Sequence, residues 1–302
     1  MPTYRLGRGD DRFVSSDTPD WSDNSAVYAG SGDDELVIAG GNSVRLFGGT
    51  GDDTVLFDQF RESTACGGAG DDVMSGIAFD STVKGGSGDD DLAAFGSGNT
   101  LSGGTGDDTL TIGGQRISEG RVHGGAGDDL LRGGGFRDNR FDGGAGDDRF
   151  ETFSAGVSVF GDVATGNLIT GGRGHDSFSV SNRNRATVQD DTNGRLDPGE
   201  VVRSVMDVIT DYRTGEELEF GATELVTDVT LAPDVPPGTS VVQLAAGDFA
   251  INRGDYLGDG SFRLDARGDD TLILYHQAGD DSPFTGSLVL LDVTRTDWIA
   301  VG

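Results

Sequence analysis

One nine-residue phrase recurs through the first 180 residues of this chain and limits what it can fold into. GGTGDDTVL begins at Gly48, GGAGDDVMS at Gly67, GGSGDDDLA at Gly85, GGTGDDTLT at Gly103, GGAGDDLLR at Gly124 and GGAGDDRFE at Gly143. Weaker copies are LGRGDDRFV from Leu6, AGSGDDELV from Ala29 and GGRGHDSFS from Gly171. From Ala29 to Gly143 the starts are separated by 19, 19, 18, 18, 21 and 19 residues, a period near eighteen with short insertions. A period sustained this long marks a repeat architecture, in which each unit buries its apolar face only against its neighbours.

The period carries two apolar series. The eighth position of every copy is apolar: Phe13, Leu36, Val55, Met74, Leu92, Leu110, Leu131, Phe150 and Phe178. Two residues before the copies stand Val27, Leu46, Val83, Leu101, Val122, Phe141 and Ile169, with Ala65 the one small member. Each period therefore holds two short strands, each with an inward side chain, and stacked coils bury these in two facing columns. The expectation is an all-β chain with a parallel β-roll, or β-solenoid, over residues 1–180. A flexible glycine-rich linker explains neither the apolar columns nor the aspartates.

Charge decides what such a roll can meet. Acidic residues number 52 and basic residues 22, for a net charge of −30, and Lys84 is the only lysine. That balance argues against nucleic acid or an anionic membrane as partner. With 52 glycines and only 34% hydrophobic residues, composition alone reads as disorder unless bound cations neutralise the charge. Cys66 is the single cysteine and has no intramolecular disulfide partner, so a staple must come from elsewhere, and metal is the usual substitute. Met1 to Val14 contains no apolar h-region, and no stretch is long and apolar enough to span a membrane.

The repeats resemble the G-G-x-G-x-D-x-U-x nonapeptides of RTX (hemolysin-type) calcium-binding proteins, where U is apolar. The resemblance implies a column of Ca²⁺ ions, each lying between one turn and the next turn on the same side. Ca²⁺ takes six to eight oxygens from carboxylates and backbone carbonyls, and glycine reaches the turn angles that aim carbonyls inward. Carried over, the carboxylate ligands are Asp34, Asp53, Asp72, Asp90, Asp108, Asp129 and Asp148. The carbonyl ligands fall on Gly49, Gly51, Gly68, Gly70, Gly86, Gly88, Gly104, Gly106, Gly125, Gly127, Gly144 and Gly146. Asp176 joins the set from a copy 28 residues beyond its predecessor with His175 at position five, and Asp11 from a copy 23 residues before the next. Seven regular turns enclose six gaps, so about six sites are expected. The alternate half of each period is degraded: GGNSVRLF after Ala39, GIAFDSTVK from Gly76, GSGNTLS from Gly96 and GGQRISEG from Gly113 keep glycines but mostly lose the aspartate. One ion column is therefore expected, with metal-poor turns opposite. Without metal, facing acids and a small core should leave the chain unfolded, so metal binding becomes folding free energy. At an extracellular affinity of about 10⁻⁴–10⁻³ M, such a chain stays unfolded in the cytosol and folds outside.

Residues 181–302 read as a β-rich capping region. DVITDYRTGEELEF, Asp207 to Phe220, resembles the D-x-I-x-D-F-x-x-G-x-D-x-I-x-F stretch that follows the repeats in serralysin-type C-terminal domains, with Tyr212, Glu217 and Leu218 as departures. GDDTLILYHQAGDD from Gly268 and GSLVLLDV from Gly286 alternate like hairpin strands. The ending DWIAVG resembles an uncleaved type I secretion signal, running two residues past the usual stop. These resemblances imply type I secretion machinery as a partner and a secreted or cell-surface location. Gln189 to Glu200 matches the spacing of an EF-hand loop through Asp191, Asn193, Asp197 and Glu200; an ordinary Asn-Gly turn competes with that reading.

Little else carries chemistry. The histidines are His123, His175 and His276, with no HExxH and no G-x-S-x-G. The expectation is a secreted, non-enzymatic calcium-binding protein, a structural, cell-surface interaction or adhesion module, with cell-surface or matrix polysaccharide as an implied partner class. The alternative is a polysaccharide lyase or epimerase working on the solenoid face. An ice-binding face would need a flat ladder of repeated threonine and asparagine, and position three reads Ser31, Thr50, Ala69, Ser87, Thr105, Ala126, Ala145, Arg173, which is no ladder. The arginine-rich insertions Arg116 to Arg121 and Arg132 to Arg140 are where a partner is expected.

Overall fold

A computed structural model describes residues 2–18, 20–113, 119–135, 138–155, 166–183, 186–189, 193–213, 215–233, 239–279 and 285–294. They are almost wholly β, with one 3-10 turn at Ser15–Asp17 and no α-helix among the described residues. Hence no helix there is long and apolar enough to cross a membrane. The chain divides into two compact units, one of residues 1–133, 139–149 and 172–174, the other of 134–138, 150–171 and 175–302.

The first unit is a parallel β-solenoid. Its strands are β1 (Thr3–Arg8), β2 (Arg12–Val14), β3 (Ala26–Ser31), β4 (Glu35–Asn42), β5 (Arg45–Thr50), β6 (Thr54–Arg61), β7 (Thr64–Ala69), β8 (Val73–Phe79), β9 (Thr82–Ser87), β10 (Asp91–Phe95), β11 (Thr100–Thr105), β12 (Thr109–Gly113), β13 (Arg121–Ala126), β14 (Leu130–Gly135) and β15 (Arg140–Ala145). Odd-numbered strands stack in one parallel sheet and even-numbered strands in a second. The register is the one the period predicts. Val27, Leu46, Ala65, Val83, Leu101, Val122 and Phe141 are successive partners in the first sheet. Leu36, Val55, Met74, Leu92, Leu110 and Leu131 are successive partners in the second. All thirteen are buried, and a further buried series, with Ile38 opposite Phe57 and Ala94 opposite Ile112, runs along the second sheet beside them. At the N-terminal end, Tyr4 and Phe13 take the two inward positions and pack with Trp21, their ring centroids 5.1 to 6.1 Å apart. Aromatic bulk there covers the last aliphatic pair, as an end coil must.

The second unit mixes parallel and antiparallel pairing. Leu168 and Ile169 pair in parallel with Val208 and Ile209, and Ser177 to Ser179 with Glu217 to Glu219. The long strand Asp248–Gly258 pairs antiparallel with Ser261–Leu264 and with Asp270–Tyr275, which pairs antiparallel with Gly286–Leu290. Val188, Val202, Met206, Phe262, Leu272 and Val289 lie in its core.

Candidate metal centre

The centre is built from the GGxGDD turns that join each odd strand to the next even one. Backbone hydrogen bonding explains why both aspartates recur. The N–H of each position-six aspartate donates to Oδ1 of its counterpart one coil later: Asp11 to Asp34 at 2.7 Å, Asp34 to Asp53, Asp53 to Asp72 and Asp72 to Asp90 at 2.8 Å, and on to Asp148, which accepts from Asp129 at 3.0 Å. Position-five aspartates run the opposite way. The Asp52 N–H donates to Oδ1 of Asp33 one coil earlier at 2.9 Å, and Asp71, Asp89, Asp107, Asp128 and Asp147 repeat this. The fourth-position glycine donates to the position-three carbonyl of the next coil, as Gly51 does to Ala69 at 2.8 Å. The turn thus satisfies its backbone donors with carboxylates, which buried N–H groups require.

Those bonds use only one oxygen of each buried carboxylate. Asp34, Asp53, Asp72, Asp90, Asp108 and Asp129 are at most 2% exposed, and Oδ2 of each is buried with no hydrogen-bond partner. Asp148 and Asp176 are equally buried. From Asp53 to Asp129 these oxygens lie against the first glycine of their own turn, where a Cβ on Gly48, Gly67, Gly85, Gly103 or Gly124 would overlap them. Glycine carbonyls approach along the same column. A Cβ on Gly68 would overlap the carbonyl oxygen of Gly49, one on Gly86 that of Gly68, and one on Gly104 that of Gly86. Gly68 and Gly70 sit at φ of +134° and +123°, angles that L side chains rarely adopt.

The electrostatics follow from this packing. Burial, opposed by the accepted N–H and reinforced by neighbouring aspartates, pushes Asp53, Asp90 and Asp129 up to about 6 and Asp72 and Asp108 up to about 7. Asp34 is raised for the same first reason. A buried carboxylate oxygen without a donor needs a proton or a cation. Carboxylate and glycine carbonyl oxygens recur along the column, and these are the donors Ca²⁺ takes, where zinc prefers nitrogen and sulfur. Among the described residues no three His, Cys, Asp or Glu side chains converge on one point, so a cation here would take carboxylates from neighbouring turns and its remaining oxygens from the backbone. The residues fit that group.

The opposite turns carry a different ladder, which the degraded repeats did not reveal. The Val44 N–H donates to the Ser63 hydroxyl at 2.9 Å, the Ser63 N–H to Ser81 at 3.1 Å, the Ser81 N–H to Oδ1 of Asn99 at 3.2 Å and the Gly120 N–H to Asn139 at 3.0 Å. The signal was present: these small polar residues stand two before the inward residues Ala65, Val83, Leu101 and Phe141.

In the second unit the coil register runs past the last recognisable repeat, which ends near residue 180. Ile209 is the partner of Ile169 and Leu218 of Phe178. Asp207 Oδ1 accepts the Asn167 N–H at 2.6 Å and Asp211 Oδ1 the Gly171 N–H at 2.8 Å. Asp207 to Phe220 is therefore a further coil, with Glu216 at the position of Asp176. Glu216 is 4% exposed and pushed up to about 7 by burial, with Asp176 and Asp211 adding to the effect. Its glutamate and missing first glycine hid it from a search for GGxGxD.

Other expected positions fall elsewhere. In the Gln189 to Glu200 segment, the Asn193 amide donates to the Asp197 carboxylate, the Arg195 N–H to Asn193 at 2.9 Å and the Asp197 N–H to Glu200 at 2.8 Å. Asp191 lies outside the described residues, as do Arg116 and the DWIAVG ending. Cys66 is half-buried on β7, and His123 is exposed, 3.4 Å from Asp142. Compared with models of known protein families and with curated proteins, the chain matches none.

Proposed function

We propose that the buried aspartate column is a calcium column and that this chain is a secreted, calcium-binding roll of the RTX type, folding when it meets extracellular Ca²⁺. The observation that carries the reading is the set of six buried Oδ2 atoms without a donor, one per coil from Asp34 to Asp129. In each turn Oδ1 holds the neighbouring coil through its backbone N–H, Oδ2 supplies the negative charge, and the glycines let carbonyls approach where a side chain would collide. When bound, Ca²⁺ supplies the positive charge that allows those carboxylates to stay ionised and buried. Without it the column must protonate or separate, which ties folding to the metal.

The sequence resemblance supports export through a type I system and a location outside the cell. The repeated, outward-facing sheets suit a structural or interaction module better than a reaction centre. Equilibrium dialysis against ⁴⁵Ca²⁺ tests the metal assignment: the reading expects about six ions per chain, from seven turns enclosing six gaps, at roughly 10⁻⁴–10⁻³ M. Binding of one ion or none by folded protein would overturn it.

A further inference from the structure

Among the described residues of the first unit, the exposed large hydrophobic side chains are Leu56, Val73, Ile77 and Phe95. All four stand on the outer face of the even-numbered sheet, to which each strand turns its first, third and fifth residues. They form one patch. Val37 pairs with Leu56 and Ile77 with Phe95, and Ser75 and Ala93 lie between them. The Phe95 ring lies over Gly113 of the next strand, 3.1 Å from where a Cβ would stand, so the missing side chain keeps the face flat. Scattered exposed leucines are ordinary, whereas a contiguous apolar patch marks an interaction site.

The same face is nearly uncharged. From β2 to β14 its outward positions carry two positive charges, Arg12 and Arg132, and three negative ones, Glu35, Asp58 and Asp91. That is a net of −1 on a chain of net charge −30. Arg12 and Glu35 moreover pair with each other at 2.5 Å.

We infer that two copies of this chain pair through this face, sheet on sheet, about a two-fold axis running along the roll. Seven strands at ~4.8 Å and five residues at ~3.3 Å give a face of about 34 by 17 Å. Two copies would hide about 1,100 Å², just above the roughly 1,000 Å² that a specific contact needs. Charge selects the axis. The GGxGDD turns precede the even strands, so exposed acids such as Asp33, Asp52 and Asp71 line one edge of the face. A two-fold along the roll reverses the strands and sends the two acidic edges to opposite sides of the pair. They then stand at least ~17 Å apart across the face, beyond a Debye length of about 8 Å in physiological salt. A two-fold along the strands would put both acidic edges on one side. The face also meets its own match in flatness and near-zero charge, and residues of the third row, Leu56 and Ser75 among them, face their own counterparts.

The test is sedimentation equilibrium in saturating Ca²⁺, on protein whose circular dichroism shows the roll formed. Because so small a contact is weak, the protein is loaded at about 0.1 mM. Wild type should approach twice the mass of one chain. L56E/F95E, which would bury four carboxylates in the pair, should weaken association at least about tenfold while keeping its β spectrum. L225E/L257E makes the same change on exposed side chains of the second unit and should stay within about twofold. A short bismaleimide should join C66A/S75C into a covalent dimer and leave wild type, whose Cys66 lies in the other sheet, unlinked. A monomeric wild type, equal weakening in both double variants, open-ended polymers, an unlinked C66A/S75C, or wild type that stays monomeric but floats with phosphatidylcholine vesicles would each overturn the pairing. The face belongs to the folded roll whatever fills the aspartate column, so such a result leaves the calcium reading to be decided by ion counting.

Discussion

The backbone N–H of Asp53 donates to Oδ1 of Asp72 at 2.8 Å, while Oδ2 of the same Asp72 carboxylate is buried with no donor. One side chain thus does two separable jobs. Asp72→Asn keeps an acceptor for the Asp53 N–H and removes the charge; Asp72→Ala removes both. The asparagine variant should retain the roll at saturating Ca²⁺ but bind one or two fewer ions, because Asp72 borders two gaps. The alanine variant should also lose about 1–3 kcal/mol from the orphaned N–H. Calorimetric stoichiometry together with thermal denaturation separates the two effects.

Acid should stabilise the metal-free roll. The carboxyls of Asp53, Asp72, Asp90, Asp108 and Asp129 are pushed up to about 6 or 7 in the fold, against about 3.9 in an unfolded chain. A group whose folded value is raised contributes stability that is present below about pH 4 and lost as pH rises through about 7. Circular dichroism in chelator at pH 5 and pH 8 should therefore show more residual β structure at pH 5. Calcium affinity should run the other way and weaken as pH falls through about 6, since protons and the cation compete for the same oxygens.

Glycine placement makes a sharper prediction than glycine content. Gly68→Ala puts a Cβ into the carbonyl oxygen of Gly49 at a φ of +134°, while Gly9→Ala, at a φ of +90°, meets nothing within 4 Å. The Gly9 variant should cost about 1–3 kcal/mol from backbone strain alone. The Gly68 variant should cost more and should raise the Ca²⁺ concentration needed for folding. Parallel calcium titrations of the two variants make the comparison.

The Ser/Asn ladder should matter for stability and not for metal. Asn99 accepts the Ser81 N–H and donates through Nδ2 to the Ala78 carbonyl at 2.7 Å. Asn99→Ala orphans both backbone groups and should destabilise by about 2 kcal/mol or more with ion stoichiometry unchanged. Denaturant unfolding in saturating Ca²⁺, paired with ion counting, reads both quantities.

The roll was legible because its two constraints, an apolar residue every coil and a glycine turn every coil, are both written at fixed offsets. Leu46, Ala65 and Val83 had to meet once the period was recognised, and so did Asp53, Asp72 and Asp90. The coil Asp207 to Phe220 was not legible as a coil, because Asp211 stands where the first glycine belongs and Glu216 where aspartate belongs. Only the pairing of Ile169 with Ile209 and of Phe178 with Leu218 restores the register. The Ser63, Ser81, Asn99 and Asn139 ladder is not legible for another reason: serine and asparagine are ordinary turn residues, and their role depends on which N–H of the neighbouring coil they reach.

The most direct measurement is far-UV circular dichroism of chelated protein at neutral pH while Ca²⁺ is raised to about 10 mM, above the affinity range of extracellular sites. The account predicts a largely unstructured starting spectrum and a cooperative gain of β signal as calcium is added, absent when magnesium replaces it. A chain already fully folded in chelator, and indifferent to calcium, would mean that the buried Asp34 to Asp129 column is held by something other than a cation.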